Sequence, residues 1–146
     1  MKDVHIAVGV LAIACNSVAA VWGAWCWWRG VSSVSFWRVL RAGQAVIVLQ
    51  AALGGVLVLT GHKPPSLHVI YGLLPLLVSF IAEQLRIASA QMVLDSQGFE
   101  SAAAVGELPE EEQRAVVQTI VRREVGVMTL AAFVIVVLLA RAAGTA

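Results

Sequence analysis

Four long apolar stretches constrain this chain more than any other feature: Val4–Trp28, Ala42–Gly61, Leu67 to about Phe80, and Val125 to about Ala143. A helix crossing the hydrocarbon core of a bilayer needs roughly 20 apolar residues. Lipid offers backbone amides no partner, so stretches of this length must satisfy their own hydrogen bonds as α-helices. Of the 146 residues, 60% are hydrophobic, against about 45–50% in a soluble domain, and the mean hydropathy is +0.85. These properties predict an all-α, integral membrane four-helix transmembrane bundle in a cell (plasma or inner) membrane. It forms a single domain over residues 1–146, with spans near 4–28, 42–61, 67–88 and 120–143.

The ends of these spans carry their own signals. Glu83, Gln84 and Arg86 mark the polar end of the third, and Pro109 followed by Glu110, Glu111 and Glu112 reads as a helix start, with acids against the positive dipole end. Asp95–Leu108 reads as the one substantial loop. The first run exceeds the 7–15 apolar residues of a signal-peptide core, lacks a basic leader and is expected to remain in the mature protein. Cys15 and Cys26 lie eleven residues apart in one helix, about 16 Å at 1.5 Å per residue. That is too far for a disulfide, whose Cα atoms lie within about 7 Å. They read as packing residues.

Orientation follows from the basic residues. Arg29, Arg38, Arg41, Arg86, Arg114, Arg122 and Arg123 fall on one side, and Lys2, Lys63 and Arg141 on the other. Basic residues accumulate in cytoplasmic loops, so an up-down-up-down bundle has both termini outside and the acidic loop inside. Trp22, Trp25, Trp27, Trp28 and Trp37 then form an aromatic belt at the inner end of span one.

The same ordering brings His5, His62 and His68 to the outer face. Spans one and three run in the same direction, and parallel helices in such a bundle can sit diagonally across its core. His5 and His68 would face each other at similar depth. Ionisable residues inside a bilayer are costly and by default functional candidates. Each of these histidines has a glycine four residues on, Gly9 and Gly72, on the same helix face. Ala12 extends that face, and Ala51, Gly54 and Gly55 would line a third side. The functional reading is a bis-histidine heme site of the electron-transfer or structural kind. The plainer one is an interfacial His5, a loop-bonded His68 and glycines that serve helix packing. His62 and Lys63 read as loop residues, with Lys2 as cations for heme propionates, or His62 as a third ligand in a zinc or copper site. Tyr71 reads as a heme contact or an interface anchor. Asn16, Gln44 and Gln50 are expected to hydrogen-bond between helices, and Glu83 with Arg86 to form a structural pair.

The segment Leu49-Gln50-Ala51-Ala52-Leu53-Gly54-Gly55, continuing through Pro64-Pro65-Ser66-Leu67-His68, resembles the heme A synthase family. There a Leu-Gln-Ala-Leu-Leu-Gly-type helix precedes a Leu-His that opens the next span. The resemblance covers roughly residues 5–75. It implies heme binding, with His68 at the Leu-His position and His5 as the other ligand, and it gives Gln50 a place in the family pattern. That family has eight spans in two halves, and this chain has one half's worth, with span four taking the place of the leading helix. The family's catalytic glutamate lies one turn before a heme-ligating histidine. Here the acid near His5 is Asp3, and prolines and serine precede His68. The resemblance therefore implies heme binding more than it implies heme A synthesis.

The expected function is that of a membrane b-type heme protein, with heme b iron held by His5 and His68, in electron transfer or heme handling. Its expected partners are heme, a quinol or membrane redox protein, and a second copy that rebuilds a two-half plan. The alternatives are a cofactor-free accessory subunit of a larger membrane complex and the three-histidine metal site. No basic tract suggests nucleic acid, and no nucleophile set or phosphate loop stands out.

Overall fold

The computed structural model describes residues 1–145. Among them it is all-helical, in the order α1 (Lys2–Arg29), α2 (Val34–Leu59), α3 (Ser66–Ser96), α4 (Ala102–Gly106) and α5 (Glu110–Ala143). All but α4 are long and apolar enough to cross a membrane, as a multi-pass membrane protein requires. Large apolar side chains cover the outside, including Val21, Trp28, Leu59, Phe80 and Phe133. In water such a surface would be an aggregation liability, whereas in lipid it is the solvated face.

Caps set the helix limits more than hydropathy does. Gly30 ends α1 in the left-handed region (φ 66°), and Val31 N–H bonds back to the Cys26 carbonyl at 3.0 Å, a glycine-dependent stop. Ser33 then opens α2, its hydroxyl accepting from Phe36 N–H at 3.4 Å. α2 therefore begins ahead of the apolar run, and Arg38 and Arg41, which precede the expected span at 42–61, are helical. α3 runs past Asp95 to Ser96, and the segment read as a loop carries the short α4. The helix start at Pro109 agrees with the sequence reading, with Pro109 capping α5 and Glu110, Glu111 and Glu112 in its first turn.

α1 packs on α2 and α5, and α3 packs on α5 and more sparingly on α2. α5 is the hub: 50% of its most apolar stretch is buried, against 22% for α1 and 11% for α2 and α3. One core cluster joins Ala19, Cys26, Phe36, Leu40, Ala82, Val125 and Met128, and a second joins Ala12, Ile47, Ile135 and Leu139. Ala12 therefore lies in packed core rather than on an open cofactor face. Small residues let the helices approach, as membrane bundles need. A Cβ on Gly43 would come 3.0 Å from the buried Asn16 amide. Asn16 itself bonds within its own helix, to the Ala12 carbonyl at 2.8 Å, and not to a neighbour.

At the end of the bundle away from the histidines, charge ties three helices. Glu83 of α3 accepts from Arg41 and, at 3.0 Å, from Gln44, both of α2, and from Arg86 at 3.0 Å. Arg86 reaches Glu124 of α5 at 3.8 Å and lies over the Trp37 ring. The side chain of Glu83 is 22% exposed, so its removal strands partly desolvated arginines. Hydrogen bonds to charged groups contribute about 1.5–3 kcal/mol. Glu83→Ala is expected to lower stability by about 2–3 kcal/mol, read as an earlier thermal unfolding midpoint in detergent. An unchanged midpoint would remove the cluster from the stabilising interactions.

Candidate functional site

One end of the bundle gathers the starts of α1 and α3 with the ends of α2 and α5, and His5 and His68 meet there. Their ring centres stand 6.0 Å apart and the planes are inclined by 57°. Two imidazoles on opposite sides of one metal ion, through bonds of about 2.0–2.1 Å, place their ring centres about 6 Å apart, and at a tetrahedral angle about 5 Å. The separation suits a shared ion.

Each ring is oriented by a partner distant in sequence. His68 Nδ1 lies 2.9 Å from the Ala142 carbonyl near the end of α5, a carbonyl that also accepts from Thr145 N–H at 3.1 Å and from the Thr145 hydroxyl at 3.0 Å. A carbonyl only accepts, so Nδ1 carries the proton and Nε2 of the neutral ring keeps its lone pair. A backbone carbonyl on the second nitrogen is a common arrangement for metal-binding histidines. His5 Nε2 lies 3.3 Å from Gln50 Nε2 and accepts from that amide. This leaves His5 Nδ1 and Gln50 Oε1 both buried without partners, a cost that native cores rarely carry unexplained.

The glycines divide into two kinds. A Cβ on Gly9 would come 2.9 Å from Gln50 Nε2, and one on Gly54 would come 3.3 Å from His5 Cε1. These two make room for Gln50 and His5. Gly55 and Gly72 have nothing within 4 Å and face open space. Gly9 and Gly54 are thus taken up by side chains, whereas Gly72 is half-buried with free space beside it and Gly55 lies exposed on the outside of the bundle.

Around this centre, Arg141 lies over the Tyr71 ring, 5.7 Å from its centre, and adds a cation at the same end. Pro75, buried within α3, lacks the N–H that would bond the Tyr71 carbonyl and loosens the helix just past Gly72. Neither Arg141 nor Pro75 stood out in the sequence, although a proline seven residues after a candidate ligand is a visible signal. Gly61 (φ 95°) reverses the chain after α2, so His62 and Lys63 are exposed. Among the described residues no group of three or more His, Cys, Asp or Glu side chains is placed to hold a metal ion. Gln44 and Gln50 do bond between helices, to Glu83 and His5 respectively.

Comparison of the chain with protein-family models, with curated proteins and with solved structures found no match.

Proposed function

We propose that this chain is a membrane b-type heme protein, resembling one half of a heme A synthase bundle, that serves electron transfer or heme handling. The observation supporting it is the convergence of His5 and His68, ring centres 6.0 Å apart, with the His68 tautomer fixed by Ala142. The charge bias adds an up-down-up-down bundle with both termini and the histidine end outside. His68 would ligate through Nε2, and His5 through Nε2 once Gln50 releases it. Gly72 would supply clearance, and Lys63 and Arg141 are cations suited to propionates. Heme b, when bound, supplies a one-electron iron couple; the protein's part is to orient the two imidazoles and exclude competing ligands. A quinol or a membrane redox protein is the proposed partner.

A second reading, a cofactor-free accessory subunit, draws support from the His5–Gln50 hydrogen bond, which engages the ring without any ligand. Gly72→Leu separates the two. The position opens on free space, so the variant is expected to keep its thermal midpoint while losing most of its bound heme. Wild-type heme content in that variant would count against a macrocycle lying beside Gly72.

A further inference from the structure

A second site lies at the opposite end of the bundle, on the lateral surface where α1 meets α5. An open groove of about 440 Å³ is lined there by Trp27, Thr119, Arg122, Arg123, Gly126, Val127 and Leu130. The α5 members are spaced as one helix face, and their character changes along it: a hydroxyl and two guanidinium groups, then only apolar side chains. The Trp27 ring forms the wall, seated where a Cβ on Gly126 would come 2.8 Å from it. The two cations are uncompensated. Glu124, beside them in sequence, pairs with Arg86, and among the described residues no acid pairs with Arg122 or Arg123. Arg123 only leans on the Met92 sulfur at 3.9 Å.

We infer that this groove binds one anionic phospholipid, with its phosphate on Arg122 and Arg123 and an acyl chain along Val127 and Leu130. Arginine presents a planar donor fork matched to phosphate oxygens, and basic pockets at helix ends in membranes take up anionic headgroups. A free inorganic anion would use only half of the groove. Trp27 suits the boundary, since indole sits at headgroup level. The inference does not depend on the heme reading, because no residue is shared between the two sites.

The test is native mass spectrometry of the intact protein in micelles doped with equal phosphatidylglycerol and phosphatidylcholine. One retained phosphatidylglycerol per chain is expected, and R122Q/R123Q is expected to reduce its retention on the order of tenfold. Both side chains are exposed, so the fold should survive, as circular dichroism would verify. Val127→Trp, which fills the apolar half, should weaken retention while leaving both charges in place. R29Q/R38Q removes two charges at the same boundary and should leave retention within about twofold. Equal retention of the two lipids, equal losses in both double-arginine variants, or displacement by millimolar inorganic phosphate would each overturn the proposal.

Discussion

His68→Ala is expected to abolish the Soret absorption of heme-loaded protein while leaving the helical content intact. The imidazole is half-buried at the bundle end and is held by the Ala142 carbonyl at 2.9 Å, so alanine removes a preoriented donor. Loss of even an outer partner of a metal ligand typically costs about 10–100-fold in affinity, and loss of the ligand should cost at least as much. His5→Ala should act similarly, since both rings would hold the iron in the proposed arrangement. His62→Ala is the control: that side chain is exposed beyond the α2 end, and its removal should leave the spectrum unchanged. Absorbance per mole of purified chain reads all three variants. If His68→Ala and His62→Ala bind heme equally well, the ligand assignment is wrong.

Gly23→Leu is expected to be the most damaging substitution for the fold. A Cβ there would collide with the Thr129 hydroxyl and come 2.6 Å from the Phe36 ring, and both neighbours are buried, with Phe36 fully so. Position 23 is therefore where α1, α2 and α5 meet, and a side chain forces them apart. Overpacking a well-packed core costs about 1–3 kcal/mol and occasionally more. Here the clash involves a rigid ring and a short β-branched side chain, neither of which can swing away. A loss of at least about 3 kcal/mol is expected, seen as unfolding at markedly lower temperature in detergent. Gly55→Leu, which meets nothing within 4 Å, should unfold like the parent. Similar midpoints for the two variants would contradict the packing described at Gly23.

These two substitutions also show what could be read from the sequence. The spans were legible because lipid leaves an apolar stretch of such length no alternative to a helix. That His5 and His68 share one end follows from the order of those spans. The helix ends were less legible: Arg38 and Arg41 look like loop residues by charge, yet the Ser33 cap places them inside α2. Small residues were the most ambiguous signal. Gly9, Gly54 and Gly72 look alike in sequence, but Gly9 admits the Gln50 amide, Gly54 admits the His5 ring, and only Gly72 and Gly55 stay open. The same residue type serves close packing and ligand clearance, and only the neighbour across the gap decides which. The partners that orient the rings, Gln50 for His5 and the Ala142 carbonyl for His68, lie 45 and 74 residues away and leave no local mark. The Glu83 cluster was half visible: its link to Arg86 is one turn away, whereas Arg41 comes from another helix.

The most direct measurement is the visible spectrum of the purified protein, expressed with ample heme and recorded oxidised and then reduced with dithionite. Two imidazoles on one iron should give a sharp Soret band that shifts on reduction, with well-resolved longer-wavelength bands, at about one heme per chain or per pair of chains. A colourless protein that stays helical and monodisperse would contradict the heme reading and leave His5 and Gln50 as a packing contact.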